Sequence, residues 1–273
     1  MITAWLLYIA TGAFAGVLAG LLGVGGGLVI VPMLNFVFHQ VGLPGDYIQH
    51  LALGTSLASI MFTSVSSLRA HNQRGAVVWP IVKAITPGIL IGTFLGSKVA
   101  AHLSTQFLSV FFVVFLYYVA AQMLLNIKPK ASRQVPGTAG MFGAGGVIGG
   151  VSSLVGIGGG TLSVPFMTWC NVPLHTCIGT SAAIGFPIAI AGTAGYIVNG
   201  MDAALPGWQA GYLGFLYLPA LVGVAATSIL TAPLGAKLAH SLPVGKLKKI
   251  FAFLLLAMGT KMLWPFITPY FGA

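Results

Sequence analysis

The sequence predicts an all-α polytopic membrane protein built from two inverted-topology repeats. Each repeat is expected to hold a glycine-broken first segment, either a hairpin or a re-entrant pair, followed by three transmembrane helices. Of the 273 residues, 57% are hydrophobic and only 5% are charged, whereas a soluble domain carries about 25% charged residues. Several apolar stretches also reach the length of about 20 residues with which a helix crosses a bilayer. This composition excludes a soluble enzyme and a nucleic-acid-binding domain.

Polar breaks divide the chain into eight apolar blocks. They cover approximately residues 4–38, 51–69, 77–98, 105–126, 140–171, 175–198, 209–235 and 246–267. The first and fifth blocks are too long for one simple helix, and a glycine run interrupts each of them. A short polar segment that contains proline separates the fourth block from the fifth. We therefore expect repeat one over residues 1–126, a cytoplasmic linker over 127–139 and repeat two over 140–273.

The two halves carry the same motifs in the same order. Gly23-Val-Gly-Gly-Gly27 before Pro32 matches Gly156-Ile-Gly-Gly-Gly160 before Pro165, His50-Leu-Ala-Leu-Gly-Thr-Ser56 matches His175-Thr-Cys-Ile-Gly-Thr-Ser181, and Gly96-Ser-Lys98 matches Gly235-Ala-Lys237. Three ordered matches are hard to obtain by chance, even in glycine-rich membrane sequence. Internal duplication with an interrupted helix in each half is typical of secondary transporters.

The positions of the charged residues predict the topology, since cytoplasmic loops hold most lysines and arginines. The basic clusters are Arg69 and Arg74; Lys128, Lys130 and Arg133; and Lys237, Lys246, Lys248 and Lys249. All three clusters share one side of the membrane if each glycine-broken block folds back on itself. The linker is then cytoplasmic, both termini are external, and the repeats are inverted relative to each other. The only acidic residues, Asp46 and Asp202, fall in external loops, which excludes a buried carboxylate relay for protons.

The glycine runs predict an anion site. Broken backbone at membrane depth occurs where protein or a water-lined cavity surrounds it, and the helix that restarts near Leu28 or Thr161 presents free N–H groups and a positive dipole end. The residues expected to contact the anion there are Gly25, Gly26, Gly27, Gly158, Gly159, Gly160 and Thr161. The alternative is that these glycines only permit close helix packing, but packing requires glycine every fourth residue rather than three in succession.

The repeated His-xxx-Gly-Thr-Ser motif supplies a second set of candidates. Hydroxyl groups can donate hydrogen bonds to an oxyanion, and the hydroxyl residues of the motif are Thr55, Ser56, Thr180 and Ser181. His50 and His175 could carry a proton, because histidine titrates near neutral pH. The alternative is an interfacial histidine with hydroxyls bonded to their own helix backbone. Asn35, Ser152 and Ser153 flank the breaks and are weaker candidates of the same type.

Motifs for other chemistry are absent from the sequence. It contains no HExxH motif, no phosphate-binding loop and no acid pair for hydrolysis. Cys170 and Cys177 lack the spacing of a metal or redox motif. We therefore expect no catalytic residue, no metal site, no nucleic-acid partner and no cofactor beyond H⁺ or Na⁺ as a coupling ion.

The glycine motifs also resemble a known family. The segments Gly23–Pro32 and Gly156–Pro165, with Arg69–Val78, Gly195–Gly200, Leu205–Trp208 and Ala232–His240, are similar to those of the sulfite exporter TauE/SafE family over roughly residues 12–264. The resemblance implies a multi-pass permease of the bacterial cytoplasmic membrane that moves sulfite or small organosulfur and sulfonate anions, often as an exporter. It implies a substrate-contacting role for the two glycine motifs and for Thr55, Ser56, Thr180 and Ser181.

Two other readings stay open at this point. A channel or facilitator for small anions would have nearly the same sequence, and a membrane assembly subunit would transport nothing. Proton coupling would use His50 or His175, whereas sodium coupling would use carbonyl groups at the breaks together with hydroxyls. Beyond the anion and the lipid bilayer, a second copy of the chain in a homo-oligomer is a further candidate partner.

Overall fold

The structure, a computed structural model, describes residues 2–22, 26–125, 132–241 and 244–271. These residues form the helices α1 (Ile2–Leu22), α2 (Gly27–Gln40), α3 (Ile48–Asn72), α4 (Trp79–Ala101), α5 (Thr105–Leu124), α6 (Thr138–Val155), α7 (Gly160–Trp169), α8 (Leu174–Gly200), α9 (Leu218–Ser241) and α10 (Val244–Phe271). Two 3₁₀ turns, Gly45–Tyr47 and Trp208–Ala210, and a hairpin of β1 (Tyr212–Leu213) with β2 (Leu216–Tyr217) complete the described elements.

Among the described residues, seven helices are long and apolar enough to cross a membrane, namely α1, α3, α4, α5, α6, α8 and α9. This confirms the all-α polytopic class. Helices α2 and α7 are shorter, with 14 and 10 residues. At a rise of 1.5 Å per residue they extend about 21 and 15 Å, less than the hydrocarbon core of about 30 Å. Each predicted glycine-broken segment is therefore a long helix followed by a short one.

The two breaks have the same backbone geometry. Gly26 precedes α2 with φ 77° and ψ −13°, and Gly159 precedes α7 with φ 75° and ψ −10°. This left-handed conformation is strained for residues that carry a Cβ atom. The prediction that helices restart near Leu28 and Thr161 is confirmed to within one residue. Gly25 lies outside the described residues.

Helix α1 packs along α9, which belongs to the other half. Gly12 lies against Val224, and Gly16, one turn later, lies against Ser228. Contacts that advance in the same direction along both helices show that α1 and α9 run parallel. The two helices approach closely because both residues are glycine. A methyl group on either of them would overlap the α9 backbone.

Helices α4 and α6 repeat this arrangement with the halves exchanged. Gly88 lies against Phe142, and Gly92 lies against Gly146, so this pair is also parallel. The first helix of each half therefore packs against the fourth helix of the other half.

Helices α3 and α8 are equivalent in sequence and pack against each other at the centre. Gly54 lies near Tyr196, whereas Leu57 contacts Gly192, so the two helices run antiparallel. Equivalent helices that point in opposite directions support the predicted inverted repeats. The assignment of loops to the cytoplasmic and external sides, and the repeat and linker boundaries, stay predictions.

The segment before α9 differs from the expected block at 209–235. The helix begins only at Leu218, after a 3₁₀ turn and the β1–β2 hairpin, in which Tyr212 pairs with Tyr217. Gly211 and Gly214 have φ values of 86° and 55°, and left-handed residues of this kind break a helix and close a turn.

Candidate functional site

The two glycine breaks contact each other near the centre of the molecule. Gly27, the first residue of α2, lies so close to the Gly156 carbonyl oxygen and the Ile157 Cα atom that a methyl group on Gly27 would overlap both. The Gly156 carbonyl oxygen also accepts a hydrogen bond of 2.8 Å from the Ser56 hydroxyl of α3. The two motifs that the sequence singled out therefore meet in space.

No side chain caps the start of α2 or α7. The Gly26 carbonyl accepts the N–H groups of Val29 and Ile30, and the Gly159 carbonyl accepts those of Leu162 and Ser163. The N–H groups at the very start of each helix have no partner within the helix, and they carry the positive end of its dipole. These first positions are occupied by Gly27 in α2 and by Gly160 and Thr161 in α7.

A cavity of about 20 Å³ lies beside Gly158. Parts of α1, α3, α8 and α9 enclose it, and four hydroxyl residues, Thr63, Ser64, Ser67 and Ser181, supply polar groups. The other described lining residues are glycines, alanines and Ile60, so the lining carries no charged side chain. A volume of this size holds about one water molecule.

The hydroxyl groups of this cavity differ in their hydrogen bonds. Thr63 and Ser64 donate to carbonyl groups of their own helix, including those of Ile60 and Met61. Ser181 instead accepts a bond of 2.9 Å from the Ser163 hydroxyl, which leaves its own proton available to the cavity. Of the four hydroxyl residues that the motif indicated, Ser181 is the one that lines this cavity.

Thr55 and Thr180 each accept a hydrogen bond from the opposite half of the chain. The Tyr217 N–H group donates to Thr55 Oγ1, and the Val78 N–H group donates to Thr180 Oγ1, each at 3.0 Å. Tyr217 and Val78 each precede the fourth helix of the opposite half. Both threonines are fully buried, and neither lines the cavity.

The two histidines occupy different environments. His50 is buried, and its Nε2 atom lies 3.1 Å from the Ala100 carbonyl oxygen and 3.0 Å from that of Leu103. Carbonyl oxygens only accept hydrogen bonds, so Nε2 carries the proton that binds the turn between α4 and α5. His175 is exposed. Neither ring lines the cavity, and the coupling role of both stays a prediction.

We expect the variant His50→Gln to unfold at a lower temperature than the wild type. The buried ring loses its bonds to the Ala100 and Leu103 carbonyl groups, and such a loss costs about 1–3 kcal/mol. Thermal unfolding in detergent measures the effect, with the exposed His175→Gln as the control that should leave stability unchanged. Equal unfolding temperatures of the two variants would show that His50 does not anchor this turn.

Three further hydroxyl residues of the cavity were not predicted from the sequence, namely Thr63, Ser64 and Ser67. Their spacing of i, i+1 and i+4 places hydroxyls on one side of α3, and this was the available signal. The equivalent positions of repeat two are Ile188, Ala189 and Gly192, so the repeat comparison gave them no support.

In the described part of the chain, seven helices are long and apolar enough to cross a membrane, two helix breaks meet, and hydroxyl residues line a cavity beside one of them. These features define a multi-pass α-helical membrane protein with the architecture of a transporter. The family model of the sulfite exporter TauE/SafE matches residues 8–262. The chain belongs to the sulfite exporter TauE/SafE family.

Several curated relatives are similar to the chain over most of their length. A protein of Haemophilus influenzae named "Probable membrane transporter protein" is 37% identical over 265 residues, which cover 96% of this chain and 99% of the relative. A protein of Methanocaldococcus jannaschii with the same description is 26% identical, over 94% of both chains. The Bacillus subtilis protein YunE, also described in this way, is 29% identical over 77% of this chain and 87% of its own. No solved structure matches the chain significantly.

The chain is therefore a multi-pass membrane transporter, and a bacterial cytoplasmic membrane fits its relatives. The family and the relatives carry the names of transporters, which fits a protein that is not an enzyme.

Proposed function

We propose that this protein is a secondary transporter that exports sulfite or small organosulfur and sulfonate anions by alternating access. The observation that carries the proposal is the hydroxyl-lined cavity beside the Gly158 break. The family description names a sulfite exporter, whereas the names of the relatives state only membrane transport.

The electrostatics of the protein favour an anion. Its only acidic residues, Asp46 and Asp202, are exposed and lie outside the long helices, so no carboxylate repels an anion in the interior. The uncapped helix starts and the hydroxyl groups then provide hydrogen-bond donors that carry no formal charge. Arg69 lies in the last turn of the helix that supplies the cavity's Thr63, Ser64 and Ser67, and its positive charge would attract anions toward this side.

The size of the cavity supports a carrier over an open channel. A cavity of about 20 Å³ accepts about one water molecule, so an oxyanion requires the surrounding helices to move apart. Glycines allow α1 to pack closely on α9 and α4 to pack closely on α6. These two helix pairs, each with one helix from either half, could move relative to each other. Alternating access of one unit against another is the usual mechanism of carriers with inverted repeats.

Reconstitution in proteoliposomes tests the proposal. We expect uptake of radiolabelled sulfite, with competition by thiosulfate, sulfoacetate or taurine identifying the anion class, and stimulation by an imposed proton or sodium gradient identifying the coupling ion. Electrical recording distinguishes the channel, which would pass far more ions per second. Monodisperse, correctly inserted protein that moves no sulfur anion under any gradient would refute the proposed function.

The variant Ser181→Ala should raise the KM for the transported anion about tenfold or more. A hydrogen bond to a charged group contributes about 1.5–3 kcal/mol, and each 1.4 kcal/mol corresponds to about a factor of ten in affinity. The matched control is Ser163→Ala, which also removes the Ser163–Ser181 bond but keeps the Ser181 hydroxyl. If both variants change KM equally, Ser181 acts through that bond and does not contact the anion.

A further inference from the structure

Five buried hydroxyl groups have no hydrogen-bond partner among the described residues, and two of them belong to Thr11 and Thr193. The other three lie near the break before α7. They are Thr93 Oγ1 on α4, Ser152 Oγ on α6 and Thr161 Oγ1 on α7. Thr93 and Ser152 are 0% exposed and Thr161 is 8% exposed. Burying a hydroxyl without a partner is unfavourable, so three such groups call for an explanation other than packing.

These three groups surround the start of α7. A methyl group on Gly149 would lie 2.6 Å from Thr93 Oγ1, and Ser152 follows Gly149 by about one turn of α6. Ser152 Oγ would in turn lie 3.6 Å from a methyl group on Gly159, the residue that precedes α7. Thr161 belongs to the first turn of α7, so unpaired hydroxyls and an uncapped helix start occur together.

The internal repeat relates this place to the cavity beside Gly158. Aligning the repeated motifs pairs Ser152 with Ala19, Thr93 with Ala232 and Ile188 with Thr63. Ala19, Ala232 and Thr63 all line the cavity. Ser152 and Thr93 therefore occupy positions that the internal repeat relates to two residues of the cavity wall.

One side chain accounts for the difference between the two places. A methyl group on Gly159 would overlap Ile188 Cδ1, so Ile188 packs directly against the α7 break. In the cavity the equivalent position holds the shorter Thr63, which leaves space. Ile188 thus fills the volume into which a ligand of the unpaired hydroxyls would fit.

The second place is displaced from the cavity along α8. The cavity contacts α8 between Ser181 and Gly185. Thr93 instead lies against Gly192, since a methyl group on Gly192 would lie 3.3 Å from Thr93 Cγ2. Gly192 lies about two turns beyond Gly185, toward the end of α8 that leads to Asp202 and the predicted external side.

We infer that Thr93, Ser152 and Thr161 form a second anion site, which Ile188 closes in this structure and which is the external half of the transport pathway. This inference rests on the proposed function. Its ligand is the same small oxyanion, bound by hydroxyl donors and by the N–H groups at the start of α7. The site opens when Ile188 withdraws from Gly159, while the cavity beside Gly158 closes.

Cysteine labelling tests the site without requiring transport. In a background with Cys170→Ala and Cys177→Ala, the variant Ser152→Cys should react with a membrane-impermeant maleimide added from the external side. The matched variant Ala19→Cys should react from the cytoplasmic side. Adding Ile188→Thr, which copies the equivalent Thr63, should raise the labelling rate of Ser152→Cys about tenfold. A cysteine at position 152 that is inert in both backgrounds, or that reacts only from the cytoplasmic side, overturns the inference.

A flux measurement separates this inference from the proposed function. Ser152→Ala should lower sulfite flux about tenfold without lowering the unfolding temperature, since the hydroxyl has no partner to lose. The control Ser153→Ala removes a hydroxyl that donates to the Gly150 carbonyl and should retain flux. External labelling at position 152 without any sulfur-anion flux would refute the proposed substrate and keep the second site. Flux that Ser152→Ala leaves unchanged would refute the site and keep the substrate.

Discussion

The variant Gly27→Ala is expected to abolish measurable transport. A single methyl group at this position overlaps the Gly156 carbonyl oxygen and the Ile157 backbone, and neither can rotate away as a flexible side chain could. Overpacking of this kind costs about 1–3 kcal/mol, and here it separates the two breaks from each other. Flux in proteoliposomes measures the loss.

Gly45→Ala is the matched control for this experiment. Gly45 lies in an exposed turn, has no left-handed backbone conformation, and has no atom within 4 Å of an added methyl group. We expect it to insert, unfold and transport like the wild type. Gly27→Ala with wild-type flux would show that contact between the breaks is not needed for transport.

Thr55→Val and Thr180→Val should each lower the free energy of unfolding by about 1–3 kcal/mol. Each leaves a partly buried backbone N–H group, of Tyr217 or of Val78, without the acceptor that it has now, and a donor without a partner carries a penalty of about this size. For a chain of this length, about 1 kcal/mol shifts the unfolding temperature by about 2–4 °C. Thermal unfolding in detergent, with the single and double variants compared, gives the shifts.

Serine is the control at both threonine positions because it keeps the accepting oxygen. Thr55→Ser and Thr180→Ser should retain most of the wild-type stability, losing only the packing of one methyl group. If valine and serine variants unfold at the same temperature, the hydroxyl oxygens contribute little. A valine variant that keeps its stability but loses sulfite affinity would favour the anion-binding role predicted from the motif.

The helix breaks were predictable from the sequence because their cause is local. Three consecutive glycines within an apolar block weaken a helix in any environment, and the repeat supplied the same signal twice. The placement of α2 and α7 followed directly. The hairpin at Tyr212–Tyr217 was not predicted, since a short apolar run before a helix does not differ in hydropathy from the helix itself.

The partners of the candidate side chains could not be predicted in the same way. The motif indicated Thr55 and Thr180, but their donors, Tyr217 and Val78, come from the opposite half. Repetition suggested equal roles for His50 and His175, yet one is buried beneath the turn between α4 and α5 and the other is exposed. Contacts that depend on how two halves pack leave no local pattern in either of them.

The exchange of partners between the halves has a consequence for biosynthesis. Helix α1 leaves the ribosome well before its packing partner α9, which begins only at Leu218. A nascent chain must therefore keep the glycine face of α1 exposed to lipid, or shielded by the insertion machinery, until α9 has been made. Tertiary assembly of this protein is accordingly a late and non-local event, in which sequence-distant contacts close last.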